Sequence, residues 1–181
     1  MSLKRMLSAV LLMGAALMAG CEETGPGMTV TWRTLDKENY ISLQEIRTPD
    51  GSVQAMPISI TYVSAKVAGF APDNRVIPQW IELSWIEPID YEDERSAPSI
   101  KDRVAAMKKL PLKTQRVEVG SRIPKEVIEQ AVQAVKNRRP SELPDRYIWI
   151  YFTWHEGRVS FKWELLDRTL ERGGRVIASG S

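Results

Sequence analysis

Nucleophilic catalysis needs an activated side chain beside a base that titrates near neutral pH, and this sequence has few residues for either role. It contains one histidine, His155, and one cysteine, Cys21. The G-x-S-x-G motif that presents the serine nucleophile of α/β-hydrolases does not occur in it. His155 falls at a predicted turn, where a histidine is usually solvated. The sequence therefore predicts a protein that is not an enzyme.

Metal binding has equally little support in the residue types. Without further thiols or a second histidine, a zinc site would have to be built from carboxylates alone. Glu87, Asp90 and Glu92 can bind Ca²⁺ together with backbone oxygens, but they lack the spacing and central glycine of an EF-hand loop. We therefore expect no metal site and no cofactor.

The one cysteine has a more specific context at the start of the chain. Two basic residues precede an apolar run over residues 6–19, which is too short to cross a bilayer as a permanent helix. The small residues Ala19 and Gly20 stand directly before Cys21. This pattern predicts a secretion signal over residues 1–20. The cysteine that follows it is either a site of lipid attachment or a chance cysteine after an ordinary signal peptide.

The segment L-M-A-G-C, residues 17–21, resembles the lipobox of bacterial lipoproteins. The resemblance implies that the signal is removed before Cys21, that its sulfur carries a diacylglyceryl group and that the new amino terminus is acylated. About three acyl chains, at ~0.8 kcal/mol per buried CH₂, anchor a protein effectively permanently. Glu22 stands where an aspartate retains such proteins in the inner membrane of enteric bacteria, so the resemblance implies the periplasmic face of the outer membrane.

The composition of the mature part limits its partners. Lys4 and Arg5 account for the whole formal charge of +2, so the chain after the signal is neutral. A neutral domain lacks the net basic charge that displaces counterions from phosphates, and we expect no nucleic-acid binding. After a polar tether over residues 21–27 (with EETGPG at 22–27), residues 28–181 are long enough for a single domain.

Hydropathy patterns predict the elements that position these residues. Alternating apolar and polar residues, together with β-branched residues, predict strands over residues 28–33, 58–67, 80–86 and 114–119. A weaker candidate covers residues 40–46. Pro57 is expected at an edge or a strand start, not at a mid-strand position. Ser99 is a predicted N-cap of a short helix over residues 99–109. A longer helix begins at Pro124, carries an apolar stripe and ends at Lys136, Arg138 and Arg139.

The strongest structural signal covers residues 146–165. Every residue from Tyr147 to Trp154 except Thr153 is apolar or aromatic, which predicts a central strand covered on both faces. Glu156 and Gly157 predict a two-residue hairpin turn into an alternating return strand. Residues 175–178 are a last short strand or a frayed end. The fold class is thus predicted as α+β, with a largely antiparallel sheet and one main and one short helix packed on a face.

Binding through exposed aromatic and charged residues remains as a function. The candidate partner-binding residues lie near long connections and at the end of the main helix; they are Trp80, Asp90, Tyr91, Glu92, Asp93, Glu94, Arg138 and Arg139. Each has a structural alternative, since acidic runs are often solvated loops, tryptophans in strands often belong to the core, and arginines at a helix end complement its dipole.

A lipobox followed by one α+β domain with a PQWIELSW segment, an aromatic YIWIYFTW strand and an EGRV hairpin resembles small uncharacterised lipoprotein families of Gram-negative bacteria. Some of these look like immunity lipoproteins of type VI secretion phospholipase effectors. The resemblance implies a protein partner, a secreted phospholipase, that the domain would occlude. A structural or accessory lipoprotein that binds another envelope component is the alternative, and a ligand-binding or lipid-handling domain is a third.

Lipidation at Cys21 is directly testable. We expect Cys21→Ser to abolish incorporation of labelled palmitate and to leave the precursor uncleaved, because the acceptor sulfur is lost. Glu22→Asp is the matched variant: it should keep the acyl label but move the protein to inner-membrane fractions on a sucrose gradient. A mature wild-type chain with a free thiol would contradict the prediction.

Overall fold

The computed structural model describes residues 25–37, 40–51, 53–62, 66–67, 76–87, 99, 102, 105, 108–139 and 141–181. The predicted signal, Cys21 and the partner-binding candidates Asp90, Tyr91, Glu92, Asp93 and Glu94 lie outside these ranges, so the predictions made for them stay predictions.

Nine strands in the described ranges form two sheets. The five-stranded sheet has the order β4 (Lys66–Val67), β1 (Met28–Thr34), β7 (Arg146–His155), β8 (Arg158–Asp167) and β9 (Arg175–Gly180). The four-stranded sheet has the order β3 (Val53–Ile60), β2 (Ile41–Arg47), β5 (Trp80–Ile86) and β6 (Lys113–Glu118). All neighbouring pairs are antiparallel except β1 and β7, which are parallel. The α+β class and the largely antiparallel pairing are confirmed, although the strands are divided between two sheets.

The main helix, α1 (Lys125–Asn137), is confirmed and begins directly after Pro124, which is its N-cap residue. A 3-10 turn over Gly120–Arg122 precedes it. The helix buries Val127 and Ala131 in the core, and Ile128 packs against that core from its edge. The face of α1 that packs on the core is therefore the one that the apolar spacing predicts, because residues three and four apart lie on the same face of a helix.

The predicted short helix over residues 99–109 falls mostly outside the described residues. Asp102 and Ala105 are helical, and the Asp102 N–H donates to Ser99 Oγ at 3.2 Å, as expected for an N-cap serine. Within the described residues only α1 and the 3-10 turn have full bounds, and the second helix stays a prediction.

The prediction of one strand over residues 58–67 is wrong. Strand β3 begins earlier, at Val53, and ends at Ile60, while β4 belongs to the other sheet and pairs with β1. Pro57 lies at an edge strand, as expected, but inside β3 and not at its start. The irregular step in the pairing of β3 with β2, between Leu43 and Glu45, falls opposite this proline. An edge position and a bulge are the two places where a strand tolerates a residue that has no N–H.

The hairpin between β7 and β8 has the predicted two-residue turn. Glu156 and Gly157 have φ values of 49° and 73°, both in the left-handed region that such tight turns require. Strand β9 extends to Gly180, two residues beyond its predicted end. A side chain at Gly180 would meet the Trp163 indole at 2.7 Å, so the close approach of that ring requires glycine here.

One side chain joins the two sheets at a sheet edge. The Gln115 amide of β6 donates to the Val159 carbonyl at 2.8 Å and accepts from the Val159 N–H at 2.9 Å. Strand β9 pairs with β8 only from Trp163 onward, so Gln115 satisfies backbone groups of β8 that β9 does not reach.

The strand directions give the domain two distinct ends. At the tether end, which we define by Gly27 and the loops over residues 138–145 and 168–174, the Gly27 carbonyl accepts from the Ile148 N–H at 2.9 Å. A side chain at Gly27 would meet Pro144 at 2.9 Å, so the chain is fixed one residue before the predicted start of the domain. At the distal end, which we define by the β7–β8 turn with Glu87 and Lys113, the Glu87 carboxylate binds Lys113 Nζ beside Gly157.

Loss of the Gln115 bridge should destabilise the domain. We expect Gln115→Ala to lower the free energy of unfolding by about 1–3 kcal/mol, because it leaves two backbone groups of Val159 without their partner. Urea denaturation measures this. Glu118→Ala on the same strand is the control, since its exposed ion pair with Arg116 is worth only ~0.5 kcal/mol. Equal losses for both variants would contradict the bridging role.

Candidate functional site

The outer side of β7 carries a row of half-buried aromatic rings. Ile148, Ile150, Phe152 and Trp154 point into the core and are fully buried, so the intervening residues point the other way. We call Tyr147, Trp149 and Tyr151 the aromatic ladder; all three are half-buried. The expected central position of β7 is confirmed, but its outer face is only partly covered, since Thr153 is buried and the three rings are half-buried.

The rings of the ladder pack on one another. The centroids of Tyr147 and Trp149 are 6.3 Å apart, and those of Trp149 and Tyr151 are 5.5 Å apart with only 12° between the ring planes. Aromatic pairs at these separations gain about 0.5–1.5 kcal/mol beyond their area burial. The ladder is consequently ordered by contacts among its own rings.

Strand β1 holds the ladder from one side. Thr31 accepts a hydrogen bond at 2.6 Å from Trp149 Nε1, which fixes the plane of the indole. Arg33 donates through Nε to Thr153 Oγ1 at 2.9 Å and lies with its guanidinium carbon 5.0 Å from the centroid of the Tyr151 ring. The parallel pairing of β1 with β7 places both residues on this face, next to Tyr151 and Thr153.

Strand β8 holds the ladder from the other side through a charged pair. Glu164 accepts from the Tyr151 hydroxyl at 2.9 Å and from Lys162 Nζ at 2.6 Å. Burial raises the pKa of Glu164, but the hydrogen bonds from Lys162 and Tyr151 outweigh it and hold the pKa below 4.5. Burial and the bond to Glu164 raise the pKa of Tyr151 far above 10.0. At neutral pH the face therefore holds a neutral phenol, a carboxylate and two cations.

This arrangement brings together residue types that are common at protein–protein interfaces. Tyrosine, tryptophan and arginine are the residue types that dominate protein–protein hot spots, where large rings give contact area at a low entropic cost. The aromatic ladder with Arg33, Lys162 and Glu164 is a pre-ordered surface of this composition, and we take it as the candidate functional site.

The sequence-predicted candidates fall in other places. Trp80 is the half-buried first residue of β5, and the guanidinium carbon of Arg116 lies 3.7 Å from the centroid of its indole ring. Arg138 and Arg139 are exposed after α1, where their Nη1 atoms lie 3.3 Å and 3.5 Å from the main-chain and side-chain oxygens of Glu142. The structure thus places the tryptophan and the arginines on different elements.

His155 is the exposed last residue of β7, with its Nδ1 atom 3.9 Å from the Glu156 carboxylate. Its position at the hairpin agrees with the solvated turn histidine that the sequence predicts.

A groove of about 510 Å³ runs between α1 and the start of β7. Its lining includes Gln130, Arg146 and Asp167. The Asp167 carboxylate accepts from Thr169 and from Arg146 Nε, and these bonds lower its pKa. Arg146 also donates to Gln130 at 2.9 Å. These contacts join α1 to β7 and β8.

No helix in the described part of the chain is long and apolar enough to cross a membrane. The same residues contain no cluster of three or more His, Cys, Asp or Glu side chains placed to hold a metal ion. Comparison with protein-family models, curated proteins and solved structures finds no match to this chain.

The Glu164 contacts predict a dependence of stability on pH. A carboxylate whose pKa is lowered by folding stabilises the protein above its unfolded pKa, and this contribution is lost as the pH falls through the folded pKa. We expect Glu164→Gln to lower the free energy of unfolding by about 1 kcal/mol at pH 7 and by clearly less at pH 3. Denaturation at both pH values checks this. Glu129→Gln, at an exposed ion pair, should show little change at either pH, and a Glu164→Gln effect that grows toward pH 3 would contradict the assignment.

Proposed function

We propose that this chain is a lipid-anchored protein-binding domain of the periplasmic face of the outer membrane, and that it neutralises a secreted phospholipase by occluding it. The observation that carries the binding role is the aromatic ladder, a stack of half-buried rings fixed by polar contacts on the outer face of a sheet. The proposed cellular location rests on the lipobox, and the proposed class of partner rests on the resemblance to immunity lipoproteins.

The order of the ladder favours tight binding. Immobilising a flexible side chain at an interface costs about 0.5–1.5 kcal/mol, and the ladder rings are already held before a partner arrives. Trp149 is fixed by Thr31 and stacked on Tyr151, which is itself held by Glu164. A partner that covers these rings therefore buries their exposed apolar surface with little further loss of side-chain conformational entropy.

Occlusion requires a broad contact rather than a reactive group. A stable interface of this kind buries about 1,600 Å² in total, which is larger than one strand face can supply. We propose that the segment with Asp90, Tyr91, Glu92, Asp93 and Glu94 adds a second contact. Glu87, the last described residue before this segment, lies at the distal end, where its carboxylate forms an ion pair with Lys113.

The alternative function is that of an accessory lipoprotein that binds another envelope component. Both functions use a binding surface and differ in the partner. A gene for a secreted lipase beside this one favours immunity, whereas neighbouring envelope-assembly genes favour the alternative. Deletion of this gene alone should sensitise cells to siblings that secrete the effector, and unchanged survival would contradict immunity.

Substitutions distinguish the binding surfaces. We expect Trp149→Ala to weaken capture of the partner from periplasm by about 2 kcal/mol, roughly thirtyfold in dissociation constant, as is typical of a central aromatic hot spot. The readout is binding of the captured, identified partner to the lipidated protein. Charge reversal at Asp90, Glu92 and Asp93 should weaken binding without unfolding the domain.

Trp80→Ala is the matched control for Trp149→Ala. Both indoles are half-buried on strands and each lies near an arginine or a tyrosine, but they belong to different sheets. Circular dichroism establishes that each variant is folded. Loss of binding with Trp80→Ala and retention with Trp149→Ala would place the interface on the four-stranded sheet and overturn the assignment to the aromatic ladder.

A further inference from the structure

Three segments that are distant in sequence meet at the tether end. Gly27 is held by Ile148 and lies against Pro144, which belongs to the loop over residues 138–145. That loop contacts the β8–β9 loop, since the Arg168 N–H donates to the Asp145 carbonyl at 2.8 Å. The chain therefore enters the domain beside both loops.

These two loops expose apolar side chains that the core does not use. Leu143 is 66% exposed and Leu170 is 59% exposed, each near the middle of its loop. Val176 and Ile177 follow at the start of β9 and are 45% and 40% exposed. Four large apolar side chains in water at one end of a small domain are unfavourable unless another surface covers them.

The same loops are predominantly basic. Over residues 136–145 and 168–175, the described chain exposes six basic and three acidic side chains. The basic ones are Lys136, Arg138, Arg139, Arg168, Arg172 and Arg175. Of the carboxylates near this end, that of Asp167 is taken up by Arg146 and Thr169, and that of Glu142 faces Arg139.

We propose that the tether end is a membrane-docking surface, which rests on a bilayer containing anionic phospholipid with Leu143 and Leu170 at the headgroup boundary. Leucines between arginines suit such a surface, because the apolar side chains enter the interface while the guanidinium groups bind lipid phosphates. The inference rests on the lipid anchor of the proposed function and adds an orientation to it.

The length of the tether supports a lipid surface as the occupant. Five residues, 22–26, separate the lipidated Cys21 from the fixed Gly27, so the acyl chains lie within roughly 20 Å of it, six residue steps at about 3.3–3.6 Å each. The tether end is therefore always close to the bilayer, where even weak contacts are favoured by a high effective concentration. The strands of the five-stranded sheet then carry the distal end, and with it Glu87, away from the membrane.

Site-specific fluorescence in vesicles tests this orientation. Cys21 is the one cysteine of the sequence and its sulfur is a thioether in the lipidated protein, so Leu170→Cys and Leu112→Cys each introduce a single thiol for an environment-sensitive dye. Leu112 is the matched control, since it is 58% exposed and directly precedes Lys113 of the distal end. The vesicles contain phosphatidylcholine and phosphatidylglycerol with a small fraction of a lipid that carries a quencher in its headgroup region.

We expect the dye at Leu170 to be quenched several-fold more strongly than the dye at Leu112. Arg168→Gln with Arg172→Gln should lower the ratio of docked to undocked protein on the order of tenfold, and vesicles of pure phosphatidylcholine should have a similar effect. Equal quenching at the two positions, or stronger quenching at Leu112, would overturn the proposal.

Two further measurements separate this inference from the proposed function. Mass spectrometry first establishes that the protein in the vesicles carries its acyl chains. Protection of cells by a lipidated protein whose Leu170 dye stays in water would overturn the docking surface alone. A quenched Leu170 dye in a protein that gives no protection would overturn immunity and leave the docking surface standing.

Discussion

The contact on which the rest of the fold depends is the one that Trp154 makes between the sheets. Its ring centroid lies 6.1 Å from Trp32 in its own sheet and 6.1 Å from Trp85 in the other, edge-on. Trp32 in turn stacks on Phe152 at 4.6 Å, and all four rings are almost completely buried. Because alternate residues of a strand point to opposite faces, placing Phe152 and Trp154 inward forces Tyr147, Trp149 and Tyr151 outward. The alternation of side chains along β7 therefore determines both the core contact and the candidate binding surface.

Much of the fold was predictable because its signals are local. The stripe of α1, the turn at Glu156 and Gly157 and the alternation of β8 each depend on residues close in sequence. The division into two sheets was not predictable in this way, because β1 pairs with β7 across more than a hundred residues and no local pattern records that choice. The error at residues 58–67 has a similar origin, since β-branched residues predict extended chain but not where one sheet ends and another begins.

The candidate site was missed because the strand pattern counts tyrosine and tryptophan together with the purely apolar residues. A finer signal was present: Ile148, Ile150 and Phe152 have no polar atom in their side chains, whereas Tyr147, Trp149 and Tyr151 each carry one. When purely apolar side chains alternate with aromatic rings that carry a polar atom, the strand is expected to have one buried face and one face partly exposed to solvent. The basic, leucine-bearing tether end was equally hidden, because Leu143, Leu170 and the nearby arginines come together only through the contacts of two loops with Gly27.

We infer that a membrane-tethered domain captures its partner through the outer face of β7. Photo-crosslinking in intact cells tests this, with benzoylphenylalanine introduced at Tyr151 on the aromatic ladder or at the exposed Glu118 on the four-stranded sheet. A single crosslinked species that contains a secreted phospholipase, formed from Tyr151 and not from Glu118, is the predicted result. Crosslinking of that partner from Glu118 with none from Tyr151 would contradict the inference.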